Sequence, residues 1–114
     1  MKLHPAAWVA APFAAGLALV VAGVAIAADA DAGKKKVTQT CAVCHGIDGL
    51  AKNPEAPNLA GENPTYLIKQ LKAFKSGERK SEMMSIIAQG LSEEDMANVA
   101  AWYSKIKVTV EMPQ

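Results

Sequence analysis

Two cysteines and a histidine fall within five residues, Cys41-Ala42-Val43-Cys44-His45, and they leave this chain few ways to fold. They are its only cysteines, and the one other histidine, His4, stands ahead of an uncharged run. Ala6 to Ala28 carry no charge, and eleven of those twenty-three residues are alanine. Met1-Lys2-Leu3-His4 ahead of the run and the small-x-small ending Ala25-Ile26-Ala27 give residues 1–27 the layout of a secretory signal peptide. The competing reading is an uncleaved N-terminal anchor, since about 20 apolar residues span a bilayer. Alanine is weakly hydrophobic and Pro12 and Gly16 interrupt the run, which favours cleavage after Ala27. Both readings export the rest of the chain, in a bacterium to the periplasm, with membrane contact only if the leader is retained.

Beyond the leader stand about 86 residues, one small domain at most. Lys and Arg number twelve in the chain; without Lys2 eleven remain, balanced by eleven Asp and Glu. A zero balance argues against nucleic acid, which needs a basic stripe to displace counterions. The length excludes barrels and doubly wound nucleotide folds. Only Tyr66, Phe74, Trp102 and Tyr103 supply large aromatic bulk, so the core is thin and the domain needs a staple.

Counting ligands sorts the staples. Structural zinc needs four Cys or His ligands, and an iron–sulfur cluster four cysteines; the mature chain has two cysteines and one histidine. A thioredoxin-like C-x-x-C follows a strand, whereas Ala32 to Thr40 read as helix. A local disulfide is the plain alternative in an oxidising compartment. Covalent attachment of a c-type haem uses all three residues. Cysteines three apart lie on one side of a helical turn, and His45, just before Gly46, can turn toward an iron as its proximal ligand.

With these residues in order, the chain resembles the class I c-type cytochromes. The likeness is to short bacterial monohaem members of the cytochrome c-553 kind and to single halves of related dihaem proteins. It runs from Ala32 to Lys105 through Gly33, the haem motif, Pro57-Asn58-Leu59, the methionine segment, Leu91-Ser92-Glu93-Glu94-Asp95 and Ala100-Ala101-Trp102-Tyr103. The resemblance implies an all-α fold, three main helices around one covalently bound haem c. The cytochrome domain would span residues 28–107, with a tail at 108–114. It implies a one-electron carrier rather than an enzyme, meeting redox protein partners as donor and acceptor. It also implies Met84, seven residues before Leu91, as the second iron ligand, with Met83 as the alternative. A Pro57 carbonyl would accept from the other ring nitrogen of His45, where the plain reading is a stiffened turn, and Leu59 would pack on the haem face. The rival readings are a cytochrome subunit of a dehydrogenase or oxidase complex and a haem sensor or enzyme with an open sixth site.

Helical spacing places a first helix over Ala32 to Val43, with Gly46 as the C′ residue that stops it. Asn63 and Pro64 open a second that ends near Gly77. Ser92 and Asp95 form a capping box for a third that runs to about Lys105 and turns Met96, Val99, Ala100 and Trp102 inward. A short turn is predicted over Ile86 to Gln89. Gly33 is expected to let the first helix approach the last against Val99 and Trp102, and Val37 stands where the family often has an aromatic. Val108-Thr109-Val110 has no strand to pair with and reads as an extension. Lys69, Lys72, Lys75, Arg79 and Lys80 form either a solvated face or a docking patch for an acidic redox partner; Arg79 could instead meet a haem propionate.

Overall fold

Asp29 is extended backbone, and its carboxylate accepts from the amides of Asp31 and Ala32 at 2.8 and 3.2 Å. That cap starts the first helix two residues before the predicted Ala32. The computed structural model describes residues 27–114, so the leader reading, apart from Ala27, lies outside the described residues. Helix α1, Ala30–Lys36, passes into a π-helical turn, Val37–Cys41, and then into α2, Ala42–His45. A uniform 3.6 period does not disclose such a wide turn, and nothing before Gly46 breaks the helix at Val43.

Helix α3 is Pro64–Ser76, with the Asn63 side chain accepting from Tyr66 N at 3.1 Å and Gly77 left-handed (φ 82°, ψ 3°) at its end. Helix α4 is Met84–Gln89, two residues longer at its start than predicted, because Ser81 Oγ accepts the Met84 amide at 3.2 Å. Helix α5 is Glu93–Ser104 and carries the predicted box: Ser92 N donates to Asp95 and Asp95 N to Ser92 Oγ, each at 3.0 Å. The fold is all-α, with no strand among the described residues.

Helix α5 is the base on which α1 and α3 rest. Val37, Leu67, Val99, Ala100 and Tyr103 form the core cluster, and Met96 is fully buried as expected. Val37, Met96 and Tyr103 are fully buried, and burial of Val37 and Met96 stabilises the fold by about 1.5–3 kcal/mol each. Tyr103 rather than Trp102 takes the deep place at the end of α5. Trp102 is half-buried at the margin, with Lys34 Nζ 5.2 Å above its ring. Val37 and Tyr103 belong to the same buried cluster, so bulk that α1 lacks is supplied by α5. Val108 lies against Gly61 and the tail beyond it is exposed, without strand pairing.

Where α1 crosses α5, a Cβ on Gly33 would stand 1.9 Å from the Asn98 carbonyl oxygen and 3.2 Å from Trp102 Cβ. The contact is thus with Asn98 backbone, not with Val99. Asn98, buried and unremarked in the sequence, accepts from Asp29 N through Oδ1 at 2.7 Å and so ties the helix start to α5. Gly33→Ala is expected to force the helices apart and to cost about 1–3 kcal/mol or more, the range for overpacking, read as a lower midpoint in guanidinium unfolding.

Candidate functional site

His45 is the last residue of α2 and is 8 % exposed. Gly46 stops the helix, but at φ 76°, ψ 148° rather than in the left-handed helical region. Only glycine adopts that region readily, and a Cβ there would stand 2.4 Å from the Leu50 carbonyl. The chain then folds back over α2. Lys52 N and Asn53 N donate to the Cys44 carbonyl at 2.8 and 3.2 Å, and Leu59 N and Ala60 N to that of Gly49 at 2.8 and 3.1 Å. Asn58 Oδ1 accepts from Ala51 N at 2.8 Å.

This loop brings the Pro57 carbonyl to 2.9 Å from His45 Nδ1. A carbonyl only accepts, so Nδ1 is the donor in this contact and Nε2 is the nitrogen left for another partner. Nε2 has no hydrogen-bond partner among the described residues. The ring is therefore held in the tautomer and orientation that a metal-binding imidazole needs.

Cys41 closes the π-helical turn and Cys44 lies in α2; both are half-buried free thiols. Burial pushes the Cys41 thiol up to about 11, against the smaller opposing pull of Lys36. Thiols of redox-active C-x-x-C motifs are pulled down instead, opposite to the direction at Cys41. Leu59 and Ile68, like Cys41, are half-buried and pack against the edge of the core cluster. Two thiols, one free imidazole nitrogen and an apolar margin form a donor set that fits a c-type haem.

Met84, the first residue of α4, is half-buried, whereas Met83 is 58 % exposed. Met96 is spent in the core and Met112 lies out in the tail. Arg79 lies 4.5 Å over the Phe74 ring and donates to Gln70 Oε1 at 2.7 Å, so both described contacts are with α3. Of the basic row, Lys72 pairs with Glu93 and Lys75 donates to the Leu91 carbonyl. Lys69 and Lys80 are exposed and enter no ion pair among the described residues. Two of the five thus fasten α3 to the approach of α5.

Two residues of α5 reach the site unforeseen. Tyr103 Oη donates to the Gly46 carbonyl at 3.0 Å and Trp102 Nε1 to the Ile47 carbonyl at 2.9 Å. Buried aromatics with polar tips need such partners, so the demand was readable; which carbonyls would meet it was not.

The cytochrome c family model matches residues 30–107. Cytochrome c-554(548) of Halomonas halodenitrificans is 48 % identical over 81 residues, which are 68 % of this chain and 96 % of that one. The thiosulfate dehydrogenase electron acceptor of Stutzerimonas stutzeri is 38 % identical over 96 residues, 79 % of this chain and 44 % of that one. The crystal structure of reduced recombinant cytochrome c4 from Pseudomonas stutzeri superposes with a TM-score of 0.66 at 39 % identity, covering 74 % of this chain and 48 % of that one. The chain thus spans nearly all of the first relative and about half the length of the other two.

Gly46→Ala is expected to meet both a disfavoured backbone angle and the Leu50 carbonyl. At a strain of about 1–3 kcal/mol from the backbone alone, haem-bearing protein should fall in yield, scored by haem stain on a denaturing gel.

Proposed function

The chain belongs to the cytochrome c family, and from that premise we propose a periplasmic carrier with one haem, held by Cys41 and Cys44 and ligated by His45 and Met84. As a member of the family it carries covalently attached haem c, transfers electrons rather than acting as an enzyme, and meets redox proteins as partners. Export rests on the leader layout of residues 1–27. No helix among the described residues is long and apolar enough to cross a membrane.

The observation that carries the ligand reading is the 2.9 Å contact between His45 Nδ1 and the Pro57 carbonyl, which leaves Nε2 for a metal. Haem c, when bound, supplies a one-electron iron couple. The chain's own residues tune and hold it. Pro57 fixes the His45 ring and raises its basicity. Met84 offers a thioether, which favours the reduced iron and raises the potential. Its place at the start of α4, with its amide held by Ser81, lets it keep position when charge changes. Leu59 covers a haem face in this reading. Arg79 commits one of five guanidinium donors to Gln70 and has others for a propionate.

A second reading, a dedicated acceptor for one dehydrogenase, draws on the likeness to the Stutzerimonas protein of that name. Gel filtration of the exported protein with its membrane and soluble fractions separates a free carrier from a retained subunit.

Met84→Leu is expected to abolish the weak methionine-to-iron charge-transfer band of the oxidised protein and to admit carbon monoxide. The potential should fall by on the order of 0.1–0.3 V, part of the roughly 0.8 V that axial ligands command. Met83→Leu should leave all three near wild type; the reverse pattern assigns the ligand to Met83. Mass spectrometry of the exported protein should give residues 28–114 plus one haem that resists acidic acetone.

A further inference from the structure

Tyr103 meets the loop after His45 at both ends. Its hydroxyl donates to the carbonyl of Gly46, the first loop residue, at 3.0 Å. Its own carbonyl accepts from the amide of Gly61, where the loop leaves the site, at 2.9 Å. Between these points lies Pro57, whose carbonyl orients His45. Trp102 adds the Nε1 bond to the Ile47 carbonyl at 2.9 Å.

These carbonyls follow a helix end, where backbone acceptors have no intrahelical partner, and besides the tyrosine hydroxyl that of Gly46 accepts only from the Gly49 amide, at 3.2 Å. Gly46 is buried, so water cannot readily take the place of the tyrosine hydroxyl. Tyr103 is itself fully buried. Burial, together with nearby Cys41 and Asp48, pushes its hydroxyl upward, which keeps the proton available for donation. Helix α5 in turn is anchored by the core and by its capping box. A rigid helix therefore grips a loop that has no regular structure of its own.

We propose that Tyr103 is a positioning residue for the iron-binding imidazole, clasping both ends of the loop that orients it, with Trp102 as an auxiliary hold. The proposal rests on the reading of His45 as the proximal ligand. Its consequence is that α5, which carries no ligand, sets how firmly Pro57 holds the imidazole proton and hence the basicity of Nε2.

The test uses the exported, haem-loaded protein. Tyr103→Phe keeps the ring and removes only the hydroxyl, and Trp102→Phe removes the weaker, half-exposed donor. Ser92→Ala perturbs the far end of the same helix and serves as a control for general loss of stability. The readouts are the deuterium exchange rate of the His45 Nδ1 proton by NMR and the midpoint potential. Tyr103→Phe should speed exchange by about tenfold, the factor that one ordinary hydrogen bond commands. It should also raise the potential, because a less tightly held proton makes a less basic imidazole. Trp102→Phe should move both in the same direction and less.

Ser92→Ala should lower the unfolding midpoint and leave both readouts at wild-type values. A loaded Tyr103→Phe protein with wild-type exchange and potential overturns the proposal, as does a Ser92→Ala protein that reproduces its changes. If Tyr103→Phe does not accumulate with haem, Trp102→Phe decides alone, and unmoved readouts overturn the proposal. Should the His45 ring protons of the oxidised wild type lack a paramagnetic shift, the proximal-ligand reading fails and the clasp falls with it. A shifted ring with unmoved variants defeats the clasp alone.

Discussion

A carbonyl 2.9 Å from His45 Nδ1 decides which nitrogen of the ring is left without a partner in the protein, and much of the architecture serves to keep that carbonyl in place. Pro57 lies twelve residues beyond the histidine, in a loop with neither helix nor strand. Each backbone bond that holds such a loop contributes only about 0.5–1.5 kcal/mol. Order here comes from number and closure: two amides on Cys44, two on Gly49, one on Asn58. Glycine at position 49 allows the return strand of the loop to pass close, since a Cβ there would lie 2.4 Å from the Ala60 amide.

Helix α5 carries the remaining load. It meets α1 without an intervening side chain at Gly33, receives Asp29 through Asn98, and fills the core through Val99, Ala100 and Tyr103. Ion pairs add little to this. Lys72 and Glu93 are both half exposed or more, a setting in which such pairs contribute about 0–1 kcal/mol. The Lys36–Asp95 pair at 3.1 Å is less exposed and joins α1 to the capped end of α5. A helix fastened in this way is a firm support for the loop that contacts His45.

Features set by neighbours in sequence were legible. The Ser92–Asp95 box, the Asn63-Pro64 start, the helix end near Gly77 and Gly33 as a site of close approach all follow from local backbone chemistry, and Met96 in the core follows from periodicity. Features set by partners distant along the chain were not. Asn98 gave no sign of capturing Asp29 sixty-nine residues away, and neither Trp102 nor Tyr103 announced its carbonyl across more than fifty residues. The basic row looked uniform, yet Lys72 and Lys75 found partners at the start of α5 while Lys69 and Lys80 did not. The π-helical turn before Cys41 also escaped, because it changes the phase of a helix without changing its composition.

Ligand count and the five-residue motif by themselves pointed to a covalently held haem, and the ordered motifs' resemblance to class I c-type cytochromes implied the small all-α domain around it, since covalent chemistry depends on which atoms are present and how far apart they stand along the backbone. Orientation was decided only when the chain closed on itself. The proton on Nδ1, the depth of Tyr103, the half-burial of Met84 and the grip on the loop all depend on groups brought together from remote positions. Hydrogen bonds and burial act across a few ångströms of space, and no spacing along the chain specifies which residues folding will place within that reach.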